Sequence, residues 1–315
     1  MHRLAITLLF LTPVLVSGGL KAETMVRDYP ARNISPHTWV IEGPLGFPSV
    51  ENQGFMNNPA FVITGEGVVV IDPGSSVQAG RMVLKQLKEI TDKPITHVLD
   101  THVHGDHWLG NQAISETYPK AQILAHPEMI RRAHEFAADS WLKIMEESTE
   151  GFTSGTLAVI PETSIDDGKT LEVGGIHFRI YAPGAAHSGT DIMIEVVEDK
   201  LLFLGDNVTY KRLPRLNDAT FKGSINACDV ALSTDAGIFV PGHGPVGGRE
   251  IVEAYKTYLA TLYELASKYY EEDLADFEMK PKIVEALNTY AEWVNFEDEV
   301  GRHISLAILE YEGSF

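Results

Sequence analysis

Between positions 101 and 107 the chain reads Thr101-His102-Val103-His104-Gly105-Asp106-His107, which packs four metal-capable side chains into one short stretch. Neutral imidazoles and ionised carboxylates offer lone pairs to a divalent cation, and this mixture of donors suits zinc. Alternate residues at a strand end leave on the same side, so His102 and His104 share one direction. Gly105 permits a turn that sends Asp106 and His107 towards a second point nearby. The spacing thus provides two imidazoles for one ion and a carboxylate plus an imidazole for its neighbour. Three further residues of the same chemistry stand at glycine-rich strand ends: His187 before Ser188-Gly189, Asp206 in Leu204-Gly205-Asp206, and His243 in Pro241-Gly242-His243-Gly244-Pro245. Singly each would be an ordinary loop residue; beside the first stretch they complete what a two-metal centre requires.

Elements that position these residues are visible in the periodicity. β-Branched runs at 39–41, 61–64 and 68–71 read as strands, with Gly65-Glu66-Gly67 turning the last two into a hairpin. Apolar residues Val77, Met82, Val83, Leu87 and Ile90 recur near helical spacing. A strand at 96–99 then leads into the histidine-rich stretch, a helix is expected from about Trp108 to 117, a strand at 122–125 and a helix over 128–147. Strands follow at 171–173, 176–181, 192–197, 201–204 and 238–240, and from Glu250 the texture is helical, with Tyr255, Tyr258, Leu259, Leu262 and Leu265 forming one apolar face. Helical stretches near 280–291 and 298–311 finish the chain. Such alternation predicts a layered α/β (α+β) fold.

Composition narrows the function. Lys and Arg number 25 against 44 Asp and Glu, a formal charge of -19, so the surface repels the phosphates of a nucleic acid. A small molecule is the expected substrate. Residues 1–22 read as a signal peptide: Arg3 precedes an uncharged apolar run over 4–20 that suits export rather than a stable span. The expected location is periplasmic or secreted, with an uncleaved anchor as the competing reading. Cys228 is the only cysteine, which excludes an internal disulfide and a cysteine-rich zinc cluster.

The ordered series H-x-H-x-D-H, His187 with Ser188-Gly189-Thr190-Asp191, Leu204-Gly205-Asp206 and Pro241-Gly242-His243-Gly244-Pro245 resembles the metallo-β-lactamase superfamily, as does Val68-Val69-Val70-Ile71-Asp72-Pro73-Gly74 with its structural Asp72. Within it, Asn52-Gln53-Gly54-Phe55, Asn57-Asn58 and the helical tail look like exported zinc hydrolases of sulfur-oxidation and quinoprotein systems. The resemblance implies a four-layer αββα sandwich over residues 35–248 with a C-terminal helical extension over 249–315. It further implies that His102, His104 and His187 hold one Zn2+, that Asp106, His107 and His243 hold a second, and that Asp206 bridges them. An aspartate at 206, where one β-lactamase subclass has cysteine, makes a thioesterase, esterase or lactonase as plausible as a β-lactamase.

Water held between two such ions has a pKa of about 7 instead of about 15.7. The expected activity is therefore attack of a metal-bridging hydroxide on a carbonyl substrate (β-lactam, thioester, ester or lactone), with Asp106 orienting the nucleophile. A mononuclear iron persulfide dioxygenase and a non-catalytic periplasmic accessory protein are the alternatives. Ser188 has no separate base to activate it and reads as a loop hydrogen-bonding residue. Phe47, Phe55 and Met56, in the connection before the strand at 61, and Lys211, five residues beyond Asp206, are the candidate substrate contacts. Trp108 is expected beneath the metal loop, and His126, His134, His177 and His303 have no ligand-like context.

Overall fold

The computed structural model describes residues 25–313; the expected signal segment at 1–22 lies outside them. Seven strands form the first sheet, in the order β1 (Ala31–Asn33), β2 (Thr38–Ile41), β3 (Ala60–Ile63), β4 (Val68–Ile71), β5 (Ile95–Asp100), β6 (Gln122–Ala125) and β7 (Thr163–Ser164). Antiparallel pairing from β1 to β4 gives way to parallel pairing from β4 to β7. The crossover from β4 to β5 is made by helix α1 (Val77–Ile90), whose start is capped by the Ser76 hydroxyl accepting from the Ala79 amide at 3.1 Å. Ala79, Met82, Val83 and Leu87 on that helix pack against Phe61, Val68, Val70 and Val98, the outer face of the sheet. After β5 come α2 (Gly105–Trp108) and α3 (Asn111–Thr117); after β6 come α4 (Pro127–Arg132) and α5 (Ala138–Ser148), joined by a π-helical turn over Ala133–Ala137.

The second sheet has the order β12 (Ile238–His243), β11 (Leu201–Thr209), β10 (Met193–Val196), β9 (Ile176–Tyr181) and β8 (Thr170–Val173). Its inner face supplies Phe178, Ile180, Ile194, Leu201 and Phe203, which pack on Val40, Val62, Val69, Ile71 and Leu99 of the first sheet. Alternation along the strands is what allows each sheet to feed two cores. Met193, Leu202, Leu204 and Phe239 point the other way, towards α6 (Phe221–Ser233), α7 (Arg249–Glu271), α8 (Asp276–Ala286) and α9 (Phe296–Tyr311). Helix, sheet, sheet and helix layers are therefore present, with the C-terminal helices thickening one outer layer. The tyrosine stripe at Tyr255 and Tyr258 is core, both side chains being fully buried.

His303 of α9 is buried between the Tyr258 hydroxyl, 2.8 Å from its Nδ1, and the Pro214 carbonyl, 3.0 Å from its Nε2. Burial pulls its pKa down from 6.5 to about 4, with Arg302 acting the same way and the Pro214 carbonyl opposing. The folded protein thus keeps this ring neutral over a range where the unfolded chain protonates it. Its contribution is complete above about pH 6.5 and is lost as pH falls towards 4, amounting to about 2 kcal/mol between pH 7 and pH 5. Urea unfolding of His303→Gln should show a smaller drop in stability over that interval than the parent; an identical drop would remove His303 from the acid response.

Candidate metal centre

All seven residues singled out by type and spacing converge at one end of the sandwich. Helix α2 begins at Gly105, three residues earlier than expected, so Asp106 and His107 occupy its first turn instead of a loop. A Cβ at Gly105 would lie 2.5 Å from the Trp141 Cβ, which is why only glycine allows α2 to seat against α5. Trp108 lies fully buried beneath the motif and donates its indole N–H to the Val103 carbonyl at 2.9 Å. Asp206 sits inside β11, which runs on to Thr209 instead of ending at 204, because Gly205 at φ +52° shifts the register against β12 without ending the ladder. Gly242 is equally constrained, since a Cβ there would stand 2.0 Å from Asp206 Oδ1.

The donor atoms fall into two triads, with a third set of His102, His107 and Asp206 overlapping both. His102, His104 and His187 form one, with His187 Nε2 3.0 Å from His104 Nδ1. Asp106, His107 and His243 form the other: His243 Nε2 lies 3.1 Å from Asp106 Oδ2 and 3.3 Å from His107 Nε2, and His107 Nε2 lies 3.5 Å from Asp106 Oδ2. Asp206 faces both triads, with Oδ1 3.2 Å from His107 Nε2 and Oδ2 3.3 Å from His243 Nε2 and 3.6 Å from His187 Nε2. Four ligands placed tetrahedrally at zinc distances stand roughly 3.3 Å apart, so these separations fit a metal.

Hydrogen bonds on the far sides of the rings fix which nitrogen faces inward. His107 Nδ1 donates to Asp72 Oδ2 at 2.8 Å, and His243 Nδ1 to the Met56 carbonyl at 2.8 Å. His104 Nε2 meets Asp218 Oδ2 at 3.2 Å. The Thr101 hydroxyl donates to Asp72 Oδ2 at 2.8 Å and so accepts from His102 Nδ1 at 3.0 Å. In four rings the outward nitrogen is held as a hydrogen-bond donor, so the inward one is the nitrogen left for a cation, the arrangement a metal ligand needs. His102 Nε2 is buried with no hydrogen-bond partner among the described residues, which an incoming cation would satisfy.

Charge tells the same story. Burial keeps His102 neutral, well below its ordinary value, and pulls His187 down to about 4. Burial opposes ionisation of Asp106 and Asp206, yet the histidines around them hold both below the usual carboxylate range. His107 is likewise opposed by burial, but Asp106, Asp206 and Asp72 outweigh it and push it well up. The pocket therefore draws in positive charge, and a divalent cation is the alternative to a proton.

Beside these donors opens a cavity of about 320 Å³, lined by His104, Asp106, His187 and Asp206 at its floor. Phe47 and Met56, two of the candidate substrate contacts, line it. Phe55 does not: it is fully buried in the core behind the first sheet, its ring 4.7 Å from that of Tyr29. Lys211 also stays outside, at φ +62° with its Nζ 5.3 Å over the Tyr210 ring. Its neighbour Arg212 faces the cavity instead, together with Arg132, Arg215, Trp141, Phe136, Ile144 and Asp218. None of these had a spacing signal, because a basic or aromatic residue in a loop or on a helix face reads as solvated or core until packing is known. Ser188 is a structural residue, its hydroxyl donating to Asp191 Oδ1 at 2.7 Å.

Residues 53–243 match the family described as the metallo-beta-lactamase superfamily. The chain is 24% identical over 227 residues to the linear primary-alkylsulfatase of a Pseudomonas species, a match covering 60% of this chain and 42% of that protein; it thus spans less than half of that relative's length. Among solved structures, the stereoselective inverting sec-alkylsulfatase from Pseudomonas sp. superposes with a TM-score of 0.73 at 16% identity, over 91% of this chain and 51% of the other. The metallo-beta-lactamase from Pontibacter korlensis superposes with a TM-score of 0.61 at 20% identity, over 74% of this chain and 99% of the other. Both likenesses are likenesses of fold.

Proposed function

This chain belongs to the metallo-β-lactamase superfamily, and from that premise we propose that it is an exported two-zinc hydrolase of a small carbonyl substrate such as an ester or thioester. The observation that carries this reading is the position of Asp206, whose two oxygens reach ring nitrogens of both triads. A carboxylate so placed could be shared by an ion in each triad. Zinc bound there would supply an activated water nucleophile and Lewis acidity towards the carbonyl oxygen.

The remaining work falls to the chain itself. His102, His104 and His187 would hold one ion, and Asp106, His107 and His243 the other. Asp106, 3.1 Å from His243 Nε2 and lining the cavity, has an oxygen placed to orient the attacking group. Phe47, Met56 and Trp141 wall the cavity with apolar surface that excludes water from the reacting centre. Among the described residues no helix is long and apolar enough to cross a membrane, and the export reading rests on the leader at 1–22.

Purified protein should hold about two metal ions per chain, hydrolyse a glutathione thioester or a chromogenic cephalosporin, lose that activity with a chelator and regain it with zinc. Full hydrolysis by the metal-free protein would overturn the proposal. So would iron in the isolated protein together with oxygen consumption on a thiol persulfide.

A further inference from the structure

Arg212 is 3% exposed, yet its Nε and Nη1 have no hydrogen-bond partner among the described residues, and the side chain lines the cavity beside Asp106 and Asp206. Guanidinium is the most donor-rich side chain, and native interiors seldom leave it unmatched. Arg215 lines the same cavity, and the Phe47 ring is close to both, its centroid 5.1 Å from the Arg212 guanidinium and 4.5 Å from that of Arg215. A third arginine, Arg132, is already engaged by Glu128 and by the Ser188 carbonyl. Asp218, the remaining cavity carboxylate, is engaged by His104. In a chain of net charge -19, two arginines turned into the metal-bearing cavity, with no ion pair to a carboxylate among the described residues although Asp106, Asp206 and Glu299 lie near enough to attract them, are the positive surface a substrate would meet.

The C-terminal extension holds that surface in place. Val294 donates to the Lys211 carbonyl at 3.0 Å and accepts from the Leu213 amide at 2.9 Å; the Asn295 side chain reaches the Leu213 carbonyl at 3.4 Å, and His303 meets the Pro214 carbonyl at 3.0 Å. The segment carrying both arginines is thus clamped by residues beyond the stretch matched to the family. Across the cavity, Phe136 and Ile144 remain 57% and 38% exposed, with Trp141 between them in sequence, an apolar wall with room for a hydrocarbon group.

We propose that Arg212 and Arg215, fixed by the C-terminal extension, form an anion subsite, and that the substrate is an amphiphile whose charged oxyacid group sits on this pair while its apolar part lies along Phe136, Trp141 and Ile144. This rests on the hydrolase reading for the word substrate, but its test does not require turnover. The metal-loaded protein is titrated calorimetrically with 1-octanesulfonate, a stable anion and a poor zinc ligand, and with octyl glucoside as the neutral counterpart. The sulfonate should bind more tightly than the glucoside, and Arg215→Gln should weaken it about tenfold or more, with Arg215→Lys losing less. Arg212→Gln should act in the same direction, whereas Arg179→Gln, which removes a cation paired with Glu195 away from the cavity, should change nothing. Arg215 is exposed, so its variants fold even where the buried Arg212 does not tolerate change. Equal binding of the two probes, or sulfonate affinity undiminished in Arg215→Gln, would overturn the subsite. A protein that binds the sulfonate through Arg215 but hydrolyses nothing would overturn the hydrolase reading alone.

Discussion

Asp206→Ala should lower thioester hydrolysis by more than about 100-fold and reduce bound metal from about two ions per chain to about one. Loss of a partner hydrogen-bonded to a metal ligand typically costs ~10–100-fold in affinity or activity, and Asp206 is placed closer than that. Its Oδ1 stands 3.2 Å from His107 Nε2, and its Oδ2 3.3 Å from His243 Nε2 and 3.6 Å from His187 Nε2. Alanine leaves five imidazoles and one carboxylate, Asp106, so the negative charge facing two divalent cations is halved. The two ions would then repel each other with less between them, and the more weakly held one should leave first. Asp206→Asn keeps the shape and one acceptor oxygen but not the charge, and it should fall between the parent and alanine. Elemental analysis and kcat/KM on the glutathione thioester read both effects. An alanine variant that keeps two ions and turns over within tenfold of the parent would show that the two triads do not share this residue.

The candidate site was legible because side chains able to ligate a metal are few in type and must be brought together by backbone that glycine allows. Asp106 and His107 follow Gly105, Asp206 follows Gly205, and His243 lies between Gly242 and Gly244. The sandwich was legible for a related reason: strands such as Val68–Ile71 are buried on both faces and read as unbroken β-branched runs. What escaped the sequence was decided by packing. Helix α6 over Phe221–Ser233 mixes Gly, Ser, Asn, Asp and β-branched residues of poor helix propensity and exists because Phe221, Cys228 and Ala231 are buried against the second sheet and α7. Phe47 and Phe55 share a glycine-rich connection, yet one lines the cavity and the other is core. Lys211 and Arg212 are adjacent cations, and a single step along the chain turns one to solvent and the other inward. No local pattern distinguishes the members of either pair.

Asp72→Asn should weaken binding of the second ion by about 10–100-fold and lower folding stability by about 1–3 kcal/mol. Asp72 sits at φ +50°, a region asparagine tolerates as readily as aspartate, so the substitution leaves the backbone alone and changes only the hydrogen bonding. The parent carboxylate accepts from the Thr101 amide at 2.8 Å, the Thr101 hydroxyl at 2.8 Å and His107 Nδ1 at 2.8 Å. Asparagine offers one acceptor oxygen and an NH2 group, so at least one buried N–H, of Thr101 or of His107, must face another donor. His107 has an escape: it moves its proton from Nδ1 to Nε2 and accepts from the new NH2 group. The ring nitrogen pointing at Asp106 and His243 then carries a hydrogen instead of a lone pair, and the ion has to displace it. Thr101 has no such freedom, because its hydroxyl also accepts from His102 Nδ1 at 3.0 Å. Disturbance at Asp72 therefore reaches both triads, with the larger effect at the one containing His107. Competition titration with a zinc indicator separates the two affinities, and urea unfolding of the metal-free protein gives the stability term. If both affinities and the unfolding midpoint stay at parental values, Asp72 does not set the tautomer of His107, and the inward lone pairs must be fixed by the metal alone.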